Sequence, residues 1–562
     1  MTTTTVAETT QRTAGNNPLH VVAGIALVVP ALLACLVGLV APSIGTIATS
    51  MQKASLIGPA QYIGLENYSR LFVDSAFTQA LSLTLLVTLV RVLAVAILPP
   101  LIVLAVVPFG RKVTLPIRLL FTVPLAMFAP ASLAVVWLTV LTDANSILRG
   151  WGLSLADPTR ASGTLLLIDA LATVGIACAV GLIAGLGALR DPAHAKRTLA
   201  VCWLIGLLAT VAFALQSFTF SYALAGTGAS NLTTTLSLLQ FKQAFVFVQS
   251  GYGATIATIV LGISMLVGLL AALIIVITSF RLDLGPRSNE SGGRAWFAIP
   301  LLVVILLISL ALGLLGILPP FLTVLSVLLR ANNLGQVMQR FSLGTLLVNT
   351  GVPVLVSLMV QLPLAYLAAL GIGALRPLRR WSELLLLPFS PWLFVTVGPL
   401  SIVTFQAVRS AHLLNTLLGL APPMLVSVPM IFVLTLFFKG REPHWRAARG
   451  AGQSGARVFL SQLVLPSLPL VALLACASFL VATQDVLWPL IVANKPELMT
   501  ASESLLQLRG DIQGTDAVVV ASTAFGIPAF LIYFVVFGAF QMSYLDRLIL
   551  RTGIDPAGQA AE

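Results

Sequence analysis

Charge is what this chain has least of. Of its 562 residues only 9% are Asp, Glu, Lys or Arg, and 19 are acidic, against 58% hydrophobic residues and a mean hydropathy of +1.01. A water-soluble domain of this size needs far more charge to cover its surface, so that class is excluded. Scarce acids also argue against a membrane enzyme such as a glycosyltransferase, because Asp143, Asp157 and Glu503 are too scattered to form a catalytic cluster. The four cysteines, Cys35, Cys178, Cys202 and Cys476, lie in apolar runs without metal-ligand spacing and read as small packing residues. Leu32-Leu33-Ala34-Cys35 is not read as a lipoprotein cleavage box, since the apolar run continues to Ala41. No Gly-x-x-x-x-Gly-Lys-Ser/Thr occurs, so this chain does not itself cradle ATP phosphates.

What is present is a succession of long apolar runs. They predict an all-α, polytopic helical membrane protein with about twelve spans. Six fall at roughly 20–42, 78–108, 115–142, 163–188, 198–220 and 252–279, and six at 297–318, 343–374, 382–408, 416–438, 462–484 and 516–542. Residues 1–19 read as a polar cytoplasmic tail and 546–562 as a second one. Between the halves, 20–280 and 295–545, the segment 281–294 is polar, Gly/Ser-rich and reads as a linker. With the N-terminus inside, the inner loops hold about twice as many Lys and Arg as the outer ones, which places both termini in the cytoplasm. The formal charge of +12 follows from those loops and does not call for nucleic acid. Arg91 is the one basic residue well inside a span, where a charge must turn toward other helices or a water-filled path.

The segment from Arg441 to Pro469 is longer than a bilayer-crossing chain needs for a turn. It reads as a short amphipathic helix, a turn at Gly450–Gly455, and a second helix entering the membrane at Leu465-Pro466. Its Ala447, Ala448, Gly452, Leu465 and Pro466 resemble the coupling loop of ABC importer permeases of the carbohydrate-uptake family. Three departures stand out: Arg446 replaces the family's Glu, Ala451 replaces an Asp, and one extra residue separates Gly452 from Pro466. Other stretches resemble the same family in order. They are Gly64-Leu65-Glu66-Asn67-Tyr68 with Asp74 and Phe77, Gly226 to Asn231 with Thr234-Thr235-Leu236, Asn349-Thr350, His412 to Leu420, and Ser478 to Leu490. In the first half, Gly181 to Thr198 lacks the Glu-Ala-Ala helix and reads equally as a docking helix or a short turn.

The resemblance implies two sugar-permease subunits fused in one chain of the bacterial inner (plasma) membrane. They would be driven by a separate ATP-binding cassette ATPase dimer that binds ATP and Mg, and fed by an extracytoplasmic solute-binding protein. No metal or cofactor is expected on this chain. Arg446, Ala447, Ala448, Gly452, Leu465 and Pro466 would engage the ATPase, and an acidic groove on the partner would answer Arg446. Gln216, Phe218, Tyr222, Gln484, Asp485 and Trp488 are candidates for the sugar path, since sugars are bound by hydrogen-bonding side chains and aromatic faces. Tyr222 and Trp488 equally fit an interfacial aromatic belt. The alternatives are a fused permease for ferric ion, thiamine or polyamine, and a twelve-helix secondary transporter, which predicts intramembrane acids.

Overall fold

A computed structural model describes residues 18–54, 60–126, 129–142, 152–155, 157–225, 230–286, 299–300, 303–304, 307, 342–451, 454–511 and 530–553. The expected spans at 297–318 and most of 516–542, the tail at 1–17, Gly452 and the Gly226–Ala229 turn lie wholly or largely outside these residues. Among the described residues, seven helices are long and apolar enough to cross a membrane, and the only sheets are two-stranded. The chain is a polytopic all-helical membrane protein.

The first half opens with α1 (Val21–Ser50). A small hairpin follows, β1 (Gln52–Lys53) against β2 (Gln61–Tyr62), and then α2 (Glu66–Val73). The Gly-Leu-Glu-Asn-Tyr run has a physical role here. Gly64 takes a positive φ of 58°, buried Asn67 donates to the carbonyls of Ser50 and Gln52, and Tyr68 meets the Ser50 hydroxyl at 2.8 Å. Asp74 then caps α3 (Ser75–Val106) through the Ala76 N–H.

The remaining elements of this half are α4 (Arg111–Ala126), α5 (Pro130–Thr142), α6 (Pro158–Leu189), α7 (Ala195–Leu215), α8 (Thr219–Ala225), α9 (Leu236–Phe241) and α10 (Ser250–Ile277). The expected span 115–142 is therefore two helices, broken before Pro130. Asp157 caps α6, and hydrogen bonds from the Thr159 hydroxyl and N–H hold its carboxyl below the usual carboxylate range.

The described helices of the segment read as the second half follow. They are α11 (Leu343–Ala369), α12 (Val397–Ser410), α13 (Val428–Gly450), α14 (Gly455–Thr483), α15 (Leu487–Val492), α16 (Ala501–Asp511) and a helix at 530–543. Similar hydrogen bonds occur in the two segments: Thr84 accepts from the N–H of Leu236 at 2.9 Å, and Thr350 accepts from that of Ala501 at 2.9 Å.

Two expected spans are corrected. Residues 382–408 do not form one helix, because Pro388 and Pro391 interrupt it. The chain makes short 3-10 turns at Arg379–Leu386 and Ser390–Trp392 before α12. Residues 416–427 are apolar yet not helical. Pro422 and Pro423 break them, and the helix starts only after Ser427, reaching Gly450 instead of ending near 438.

Residues read as the start of the linker and of the C-terminal tail are paired. Strand β3 (Arg281–Leu284) runs antiparallel to β4 (Leu548–Arg551), with Arg281 opposite Arg551 and Leu284 opposite Leu548. Each strand follows the last helix of its own half and packs on a helix of the other: β3 on α13, β4 on α6. Two glycines make the close approach possible. A Cβ on Gly440 would lie 2.0 Å from the Leu282 carbonyl oxygen, and one on Gly187 would meet the Leu550 side chain at 3.2 Å.

Candidate transport core and docking hairpin

The path candidates gather where the halves meet. Gln216 caps the end of α7 and is fully committed. Its Nε2 donates to Ala212 O and Phe394 O, each at 2.9 Å, and its Oε1 accepts from Thr396 N–H at 2.8 Å and Thr396 Oγ1 at 2.9 Å. The Pro-broken segment before α12 leaves backbone groups without helical partners, and a side chain from the other half supplies them. Gln216 is a bridge between halves.

Phe218 and Tyr222 stack with centroids 5.2 Å apart, and both meet Phe241 edge-on. They share one buried cluster with Trp488, Leu487, Val486 and Leu420 of the second half. Trp488 is not part of an interfacial belt. It is fully buried, and its indole N–H donates to Gly419 O at 3.0 Å and Ala421 O at 3.1 Å. It thereby anchors the 412–421 stretch, in which His412 and Asn415 adopt positive φ and Asn415 Oδ1 accepts from the Asn494 N–H. The aromatic content was legible in sequence, but its packing role was not.

Gln484 is half-buried at the end of α14. Asp485 follows it, accepts from the Leu487 N–H at 3.1 Å and faces a cavity of about 20 Å³. Asn349, Thr350, Thr483, Trp488 and Thr500 also line that cavity. The rest of its lining is apolar, from Pro353, Val354, Leu420, Pro422, Ala482 and Pro489, and its size suits one water held by the polar groups. Of the six candidates, Asp485 and Trp488 line this cavity, and Asp485 is the charged one.

Sequence reading missed the partner of Arg91. Asp169, in α6, binds the guanidinium in bidentate fashion, with Arg91 Nε to Oδ2 at 2.7 Å, and Arg91 Nη2 also reaches Ser217 Oγ at 3.2 Å. Both ends of the pair are largely buried. Two charges in a low-dielectric interior persist only when paired in such geometry. The equivalent place in the second half is neutral: Ser357 Oγ donates to Pro422 O at 2.9 Å. Two carboxylates are buried, Asp169 inside an expected span and Glu503 in α16, outside the expected spans.

At the other candidate site, α13 and α14 form a hairpin. Arg446, Ala447 and Arg449 are exposed on its tip, with Ala448 half-buried. Arg446 is 54% exposed and ion-paired with Glu442 one turn earlier. Glu442 also lies 4.0 Å from Arg376, so it is shared between two arginines. Leu465 and Pro466 do not sit at the tip, because α14 begins ten residues earlier, at Gly455. Leu465 is exposed on the apolar helix, and a π-helical turn, Leu460–Val464, precedes Pro466. Proline has no N–H for the carbonyl four residues back, and Arg441 takes that Gln462 carbonyl at 3.2 Å and the Gln462 side chain at 3.0 Å.

The equivalent connection in the first half is a short turn, Arg190 to His194, with no docking helix. Gly187 and Gly440 are equivalent contact points. Helix α6 runs only to Leu189 beyond the first, and α13 runs to Gly450 beyond the second. At 1.5 Å per residue the second-half hairpin projects about 12 Å farther.

No protein-family model matches the chain. Over 267 residues it is 26% identical to the sulfoquinovosyl glycerol transport system permease protein SmoG of Agrobacterium fabrum (strain C58 / ATCC 33970), a match covering 43% of this chain and 86% of that relative. The chain is thus a multi-pass helical membrane protein distantly similar to a sugar transport permease.

Proposed function

We propose that this chain is the membrane permease of an ATP-driven, binding-protein-dependent importer for a sugar or glycoside, with both permease halves in one polypeptide. The observation that carries the reading is the architecture: two helical halves bridged by Gln216, and an exposed hairpin at Arg446–Ala448 beyond the apolar helices. The distant similarity to a permease named for a sugar-containing glycoside supports the cargo class. In this reading the chain lies in the bacterial inner membrane with both termini cytoplasmic, and the basic-rich end, which carries the hairpin, faces the cytoplasm.

A separate ATPase dimer binds ATP and Mg and grips the hairpin tip, where Ala447 and Ala448 permit close helix approach. Closure of that dimer would move α13 and α14 as one rigid lever, because Pro466 and Arg441 tie them together. The extracytoplasmic binding protein would deliver cargo at the end marked by β1, β2 and α2. Trp488, Tyr222 and Phe218 shape the interface between halves, and Asp485 is the polar group offered to the path. The bidentate pairing with Arg91 commits Asp169 to an ion pair, which disfavours it as the coupling carboxylate of a secondary transporter.

The test is co-purification of the detergent-solubilised chain with ATP-binding cassette ATPases of its own organism, followed by ATP-dependent uptake in vesicles. A chain that binds no ATPase sinks the reading.

A further inference from the structure

At the basic end of the bundle, one carboxylate faces three guanidiniums. Asp546 is 2% exposed and accepts from Arg111 Nε at 2.8 Å, Arg118 Nη1 at 3.1 Å and Arg190 Nη2 at 3.4 Å. The cluster at the other half has one more carboxylate: Arg376, Lys439 and Arg446 lie against Glu383 and Glu442, with Lys439 Nζ 2.7 Å from Glu383. By that internal comparison the Asp546 network is short of negative charge.

Two of the three arginines are otherwise committed. Arg118 also binds Gln541 through Oε1 and the backbone carbonyl, and Arg190 donates to Leu548 O. Arg111 differs. It gives Nε to Asp546 and is 37% exposed. It opens the sixteen-residue helix α4, whose N-terminus adds positive potential, and Lys112 beside it is exposed. Leu104 (60% exposed) and Val107, one turn apart, are exposed apolar residues just before α4, and Leu120 is exposed on α4 two turns on from Lys112. A phosphate beside exposed apolar residues has the chemistry of a lipid headgroup at a membrane surface.

We propose that Arg111 and Lys112, at the start of α4, bind the phosphate headgroup of an anionic membrane lipid whose acyl chains lie along Leu104, Val107 and Leu120. The site lies where Asp546, just before β4, is held against the first half, so the bound lipid would secure the junction between halves.

The experiment is thermal unfolding of the purified full chain in detergent, titrated separately with phosphatidylglycerol, phosphatidylcholine and inorganic phosphate. Phosphatidylglycerol should raise Tm saturably, and neither of the others should reproduce that shift. Arg111→Gln with Lys112→Gln should weaken the apparent affinity about 25-fold, from about five-fold for each cation lost near a membrane surface. Arg197→Gln removes an exposed charge elsewhere on the same end and should leave the affinity within two-fold. If the double variant folds poorly, Lys112→Gln alone should still cost about five-fold. The proposal is overturned if these variants leave the affinity unchanged, if Arg197→Gln weakens it as much, or if inorganic phosphate alone gives the full shift.

Discussion

Gln216 and Thr396, 180 positions apart, are joined twice: the carboxamide oxygen accepts from both the N–H and the hydroxyl of Thr396. The same side chain donates to Phe394 O, so one residue satisfies a stretch of backbone in the opposite half. Gln216→Leu keeps the volume but strands at least two buried polar groups, at about 1–3 kcal/mol each. We expect a clear fall in thermal stability, with Gln216→Glu milder because its acceptor survives. A Gln216→Leu protein that melts with the wild type would show that the bridge is dispensable.

The buried pair in the first half makes a non-additive prediction for single and double changes. Arg91→Met or Asp169→Leu alone leaves an uncompensated charge and should cost about 3–5 kcal/mol, whereas the two together remove both charges and should recover most of that loss. Yields of folded monodisperse protein from the three variants would decide it. A double variant worse than either single one would mean that the pair does more than satisfy itself.

Trp488 is predicted to act through its N–H as well as its bulk. Trp488→Phe retains most of the packing but frees Gly419 O and Ala421 O, loosening the turn beside the Asp485 cavity. Transport should fall mainly through a raised KM, while Trp488→Ala should also unfold the core at about 3–5 kcal/mol. Equal KM values for wild type and Trp488→Phe would dissociate the indole N–H from the path.

Helices backed by long unbroken apolar runs, such as α3, α6 and α10, were legible in sequence to within a few residues, because hydropathy and length alone specify them. The segments at 382–408 and 416–427 were not, since hydropathy cannot tell a buried proline-broken turn from a lipid-facing helix. What stabilises those turns is remote: Gln216 for one, and Trp488 with Gln361, whose Nε2 donates to Met424 O at 2.6 Å, for the other. Asp169 went unremarked for the same reason, as nothing near it in sequence hints at Arg91. The pairing of β3 with β4 joins segments about 270 positions apart and read as linker and tail. The local turn motifs fared best, as with Asn67 and Gly64, whose partners lie within about 20 positions.

The hairpin should show a lopsided response. Ala447→Phe adds bulk on an exposed, small-residue face and should leave stability within about 0.5 kcal/mol while impairing ATPase association at least ten-fold. Ala193→Phe, on the short first-half turn, should impair it far less, given the 12 Å or so by which the second hairpin projects beyond it. Pull-down of the ATPase by each detergent-solubilised variant measures both. Equal losses would show that the two connections are gripped alike.

The account stands or falls on what powers movement through the two joined halves. Vesicles holding the chain with its ATPase, supplied with binding protein and a labelled glycoside, should accumulate the label only when ATP is present. Accumulation by the chain alone, under an ion gradient and without nucleotide, would contradict it.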